Sequence, residues 1–264
     1  MVKKLSFIFI IIFLISIFGC SRPTPTTIKK ASPTTPYGNS IPVLMYHSIT
    51  CEKGNPICLP VEKFEEQMKY LKTNGYHTIT LMDLYKYFMR QKPIPKKSVV
   101  LTFDDGYENN YTAMFPILKQ YNVKATIFVN TSFIDKYHRF LTSKQLLEMG
   151  KYGVDIECHT VNHENLKMLS KDKQLKTLIQ SKKFLEKKLN KQIKFFAYPY
   201  GWYNKSAIEA VKEAGYTMAF IIDNSWCSKN DGIFSLHRVD INFLRDMNIF
   251  KNEISNPNYK SLAQ

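Results

Sequence analysis

The sequence predicts an α/β fold with a largely parallel sheet and its helices packed outside. Two observations carry that expectation. From residue 41 onward, short apolar or β-branched runs alternate with helical patterns, and no internal repeat or second domain interrupts them. The chain is also long enough, at 264 residues with 44% hydrophobic and 14% aromatic, to bury a substantial core.

The strand-like runs are PVLMYH (42–47), YHTIT (76–80), SVVLTF (98–103), KATIFVN (124–130), GVDIECH (153–159), KFFAYP (194–199), YTMAFII (216–222) and FSLHRVDI (234–241). Between them lie helical patterns. In VEKFEEQMKYLKTNG, Phe64, Met68 and Leu71 recur at helical spacing and Gly75 supplies a stop. TLMDLYKYFMRQ, NNYTAMFPILKQYN, SKQLLEMGKYG, SKDKQLKTLIQSKKFLEKKLN and NKSAIEAVKEAGY follow in turn. Eight runs suit a barrel, complete or irregular. In such barrels the chemistry sits at the C-terminal ends of the strands. The residues expected there are Tyr46, His47, Asp104, Asp105, Asn130, His159, the stretch Tyr198 to Tyr200, and His237.

The N-terminus reads differently. Lys3 and Lys4 form a short positive region, and Leu5 to Phe18 is almost wholly Ile, Phe and Leu. That length suits a signal segment better than a spanning helix. It ends in Gly19-Cys20-Ser21, which resembles a bacterial lipoprotein cleavage box, although Phe18 is bulky for one. The expected organisation is a signal peptide at 1–19, a lipidated Cys20 with a Pro/Thr-rich tether through residue 40, and one folded domain at 41–264. An uncleaved N-terminal anchor is the other reading. Both place the domain outside the cytoplasm, on a membrane.

The formal charge is +15, and loss of residues 1–19 leaves +13. Basic clusters such as SKKFLEKKLNKQIK could meet anionic wall polymers or lipid headgroups, or form a solvated helix face. Nucleic acid is a poor partner for an exported protein. Of the five cysteines, Cys51 and Cys58 flank a Gly/Pro turn and could close a loop disulfide in an oxidising compartment. Cys158 and Cys227 look isolated, and with no CxxC pair a cysteine zinc site is not expected. His77 and His138 lie away from any motif.

The chemistry concentrates in two stretches. TFDDG (102–106) sets Asp104 and Asp105 side by side at the end of an apolar run. Asp-Gly is a common turn pair, so a solvated turn is one reading. The other separates two roles, with one carboxylate binding a cation and its neighbour free to act as a base. HTVNH (159–163) spaces His159 and His163 four apart, so that both can face one cation. Two imidazoles and one carboxylate would leave positions open for water and substrate.

TFDDGY, HTVNH, FAYPYG and a late LHR, occurring in that order, resemble the polysaccharide deacetylases of the NodB-homology type, carbohydrate esterase family 4. The resemblance covers residues 41 to 245. It implies a distorted (β/α) barrel of about seven strands. It also implies metal-dependent hydrolysis of the N-acetyl groups of an N-acetylhexosamine polymer. On this resemblance Asp104 is the base, and Asp105, His159 and His163 hold the metal, most often zinc, with cobalt or another divalent ion as alternatives. Pro199 and Tyr200 would line the sugar groove, and His237 would be the acid. Tyr46 and His47, at the end of the first strand, are the further substrate-contact candidates, and His47 could line the cleft or merely cap that strand. Many members carry Arg where this chain has Ala197, and the motif that tunes the catalytic histidine is only hinted at by Asp223 and Trp226. The opening PVLMYHSI, together with Ala197, resembles the branch acting on the biofilm polymer poly-β-1,6-N-acetylglucosamine. Peptidoglycan fits a surface anchor as well. An O-acetyl esterase and a non-catalytic glycan-binding protein are the competing readings. Adjacent carboxylates could hardly flank a glycosidic bond, which ranks a glycosidase low.

Overall fold

A computed structural model describes residues 40–50 and 55–259. Seven parallel strands form one curled sheet: β1 (Val43–Tyr46), β2 (Ser98–Phe103), β3 (Thr126–Val129), β4 (Asp155–Cys158), β5 (Phe195–Ala197), β6 (Met218–Phe220) and β7 (Val239–Asp240). Their spatial order is β6-β5-β4-β3-β2-β1-β7, so successive strands are neighbours except at the ends. The last segment touches both margins of the sheet. Leu236 makes a parallel bridge to Phe220 beside β6, and Val239–Asp240 pair with Leu44–Met45 of β1. A barrel joined on one side by a single bridge is the distorted barrel that the sequence implies.

Helices α1 (Val61–Thr73), α2 (Leu81–Phe88), α3 (Phe115–Tyr121), α4 (Ser143–Tyr152), α5 (Lys171–Leu189), α6 (Lys205–Glu213) and α7 (Met247–Ser255) fill the connections. Their starts are written locally. Thr80 with Asp83, and Thr142 with Gln145, form capping boxes at α2 and α4, satisfying backbone N–H groups that a helix leaves unpaired. Gly153 ends α4 in the left-handed conformation. α1 buries Phe64, Met68 and Leu71, the stripe that the sequence spacing predicts, and Gln67 beside them.

Two apolar layers result. Strand residues such as Leu44, Tyr46, Leu101 and Ile127 pack outward against the helices. Val43, Val100, Phe128, Phe195 and Phe220 belong to a separate interior cluster. β2 is buried at all six positions, which is why it reads as a continuous apolar run. Two predicted strands shrink. YHTIT contributes only His77–Thr78, paired with Ser98–Val99 off the main path. FSLHRVDI keeps two strand residues because it bends between its two partners.

β4 and β5 pair only at Cys158 and Phe196. Glu157 fills the gap beside them: its Oε2 accepts from the N–H groups of Lys194 and Phe195, and the Lys191 ammonium lies 3.1 Å from its Oε1. The lysine cluster around α5 is partly neutralised within the chain. Lys182 meets Glu186, Lys188 meets Asp135, and Lys191 meets Asp155 and Glu157. Cys158 is buried and bonded to Ser181, as a small core residue. The expected disulfide involves Cys51, which lies outside the described residues, as do the signal segment, Cys20 and the tether.

Candidate active site

β2 delivers the paired carboxylates. Along it, Val100, Thr102 and Asp104 alternate toward the barrel interior. Asp105 then takes φ 71° and Gly106 φ 73°, so the chain turns in the left-handed region and swings the second carboxylate into the same cleft. A Cβ on Gly106 would lie 2.8 Å from Val129 Cγ1, so the turn has no space for a side chain. Positive φ in non-glycine residues recurs around the cleft, at Asp105, Thr160, His163 and Tyr200. Strained backbone of this kind gathers where geometry is over-determined by function.

Asp104 is buried, and Arg238 grips it with two bonds, Nη1 to Oδ1 at 2.8 Å and Nη2 to Oδ2 at 2.7 Å. The guanidinium is itself fully enclosed. Its Nε donates to Ile221 O, Nη1 also reaches Thr102 Oγ1, and its face lies over Phe128. Burial alone would push the Asp104 carboxyl up. The Arg238 charge, followed by His159 and His47, instead holds it well below the usual carboxylate range. Arg238, just ahead of β7, thus sets a guanidinium against Asp104 although position 197 is alanine. Leu236 and Arg238 fall on the interior face by strand alternation, and that was the available signal in LHR.

Asp105 Oδ1 lies 3.3 Å from His163 Nε2 and 3.6 Å from His159 Nε2, and Asn130 Nδ2 donates to the same oxygen. His159 Nδ1 sits 2.7 Å from Ala197 O, so it carries the proton and leaves the Nε2 lone pair aimed at Asp105. Burial pushes the His159 imidazole down to about 4, which keeps it neutral and able to ligate. One donor atom from each of Asp105, His159 and His163 lies within 4.8 Å of the others. Two imidazole nitrogens and a carboxylate oxygen, with the proton already parked on the far nitrogen of one ring, fit a divalent cation. HTVNH is a loop, and Thr177 Oγ1 and the Glu164 carboxylate hold its backbone.

The other predicted residues separate. Pro199 is buried, while Tyr200 is half-exposed with its ring 4.4 Å from that of His163. His47 continues β1 and is braced by Asn110, which donates to its carbonyl. Its Nδ1 is a buried polar atom without a hydrogen-bond partner. Tyr46 corrects the sequence reading: it points to the outer layer, stacks on Phe103 and donates to Gln67 Oε1, so it cannot line the cleft. His237 Nδ1 lies 3.2 Å from Asp223 and 3.6 Å from Asp231. Asp223 therefore meets the histidine it was expected to tune, whereas Trp226 turns away to donate to Glu253 O.

A family model described as polysaccharide deacetylase matches residues 91–219. YxkH of Bacillus subtilis, provisionally named a polysaccharide deacetylase, is 37% identical over 219 residues, covering 83% of this chain and 75% of that one. The chain belongs to the polysaccharide deacetylase family. This deacetylase is a hydrolase of carbon–nitrogen bonds. It is also 32% identical over 190 residues to a poly-β-1,6-N-acetyl-D-glucosamine N-deacetylase of Staphylococcus aureus, a match covering 67% of the deacetylase and 65% of that enzyme. Among solved structures it resembles the Streptococcus pyogenes deacetylase PplD in complex with acetate, with TM-score 0.78 and 31% identity over 81% of this chain and 98% of that one. A polysaccharide deacetylase from Bacillus cereus superposes with TM-score 0.74 at 27% identity, over 81% of this chain and 69% of that one.

Proposed function

We propose that this deacetylase removes N-acetyl groups from a surface N-acetylglucosamine polymer, with poly-β-1,6-N-acetylglucosamine the favoured substrate and peptidoglycan the other. The grouping of Asp105, His159 and His163 beside the Asp104–Arg238 pair carries the reading, and the Staphylococcus aureus relative supports the choice of polymer. A divalent cation held by Asp105, His159 and His163, zinc by its donor set, would supply Lewis acidity at the amide oxygen and a lowered pKa for water. Asp104 is the base. Arg238 keeps it ionised and fixes its orientation, and it takes the proton of the attacking water. The Tyr200 backbone N–H is the donor to the developing oxyanion. An acid must then protonate the departing nitrogen, so that acetate and a free amine leave.

The sequence resemblance gives that proton to His237, but the geometry favours His47. Strand alternation sets His237 on the face opposite Arg238, where Asp223 and Asp231 hold it. His47 extends the inward face of β1, acts electrostatically on Asp104, and has a buried nitrogen awaiting a partner. The deciding experiment is acetate release by a soluble fragment, residues 38 to 264, with zinc, on β-1,6- and β-1,4-linked N-acetylglucosamine oligomers and peptidoglycan. Asp104→Asn is expected to abolish release, and His47→Gln to lower kcat far more than His237→Gln. The reverse order of the two histidines would return the acid to His237. No release from any glycan by a fragment that binds metal would favour an esterase or a binding protein.

A further inference from the structure

We infer that Trp202 is a stacking platform for the sugar ring adjoining the one that is deacetylated, which makes it a residue that selects polymer over short substrates. The inference rests on the proposed glycan substrate. Trp202 is 56% exposed, Tyr200 beside it is 50% exposed, and their ring centroids are 5.6 Å apart. Tyr200 in turn packs edge-on against His163 at 4.4 Å, so the pair forms an aromatic strip leading away from the candidate metal group. A tryptophan left this open on a loop at the rim of a cleft is a recognition feature more than a core residue.

The strip is built to stay in place. Gly201 sits at φ 69°, and a Cβ there would meet Ile222 N at 2.7 Å, so the turn is pressed against the segment after β6. Gly201 N–H donates to Tyr198 O, and Trp202 N–H to Pro199 O. Beyond Trp202, Tyr203 packs on Tyr198, and Asn204 caps α6 through Ala207 N–H while donating to Lys167 O. A platform anchored on both sides loses little conformational freedom when a ligand settles on it. β-Linked N-acetylglucosamine rings carry C–H bonds on their faces and hydroxyls at their edges. A flat indole is complementary to such a face and indifferent to the acetyl group. Trp202 lies one ring beyond Tyr200, so the unit it meets is a neighbour of the reacting one.

The chain has two tryptophans, and the other, Trp226, is 5% exposed and donates to Glu253 O. Both tryptophans emit, so a ligand-dependent change is assigned to Trp202 by its loss in Trp202→Phe. The zinc-loaded protein would be titrated with N-acetylglucosamine and its β-linked oligomers of two to five units, with acetate release followed in parallel. A fluorescence change that begins with oligomers and disappears in Trp202→Phe is expected. In Trp202→Ala, KM for the longest oligomer should rise about five- to tenfold with kcat unchanged, while the shortest substrate is turned over as before. Trp202→Phe should recover most of the lost affinity. An unchanged oligomer KM in Trp202→Ala would overturn the inference, as would an equal rise for short and long substrates. If the wild-type protein released no acetate, the substrate reading would fall, and the fluorescence titration alone would still decide whether oligomers dock on Trp202.

Discussion

At the scale of single residues, the Asp104–Arg238 pair governs the site. A carboxylate this deeply buried would ordinarily stay protonated at mild acidity, and only the two-pronged guanidinium contact reverses that. Because the folded pKa is depressed, the stability this pair contributes is complete above the ordinary carboxylate range and is lost as the pH falls below it. Arg238→Met removes the cation and leaves burial to dominate. The carboxyl then titrates above its ordinary value, and the acid limb of the rate profile moves to higher pH. Activity at neutral pH should fall about a hundredfold or more, and stability by about 3–5 kcal/mol. A pH–rate profile and a urea titration check both. An unmoved acid limb would mean that Asp104 is not the base. The four residues Asp104, Asp105, His159 and His163 were legible because two short motifs hold them locally. Strand alternation gave the face that Arg238 takes, but not its partner, since 134 positions separate it from Asp104 and only the curled sheet joins them. Tyr46 misled for a related reason: it adjoins His47 in sequence, but successive strand residues point into different layers.

At the scale of elements, turns place the chemistry as much as strands do. The strand and helix runs were readable from periodicity, because parallel strands buried on both faces leave unbroken apolar stretches. YHTIT and FSLHRVDI were over-read, since β-branched composition records suitability for a sheet and not the number of partners available at its margin. The turn after β2 is the most demanding connection. It needs left-handed backbone at Asp105 and Gly106, with Gly106 against Val129 and its carbonyl accepting from Leu141 N–H. Gly106→Ala should cost about 1–3 kcal/mol, lowering Tm by about 2–12 °C. It should also displace Asp105 from the two histidines. Zinc at a hundredfold excess over its Kd should stabilise the wild type by about 2.7 kcal/mol, and much of that gain should vanish in the variant. Thermal unfolding with and without zinc makes the comparison. A variant that keeps the whole zinc-induced shift would show that the turn does not set the ligand geometry.

At the scale of the whole molecule, the two ends of the barrel have different tasks. The candidate site lies at the C-terminal ends of the strands. The described chain enters at the opposite end, where Ser40–Ile41 pair with Ser228–Cys227 ahead of β1. Residues 23–36, rich in Pro and Thr, precede that entry. We propose that Cys20 is the acylated first residue of an exported lipoprotein, on the charged and apolar segment before it and the Gly19-Cys20-Ser21 stretch that ends it. A single acyl chain binds membranes only marginally, so the several chains of a lipoprotein cysteine are what retention requires. Cys20→Ser should therefore move the protein from the membrane fraction to the medium, or leave it held as an uncleaved precursor of higher mass. Acetate release by the purified domain should be unchanged, because the site is built wholly within the barrel. Fractionation followed by intact-mass measurement of the N-terminus separates these results. Recovery of the variant in the membrane fraction at the same mature mass as the wild type would sink the lipid-anchor assignment and leave the deacetylase chemistry untouched.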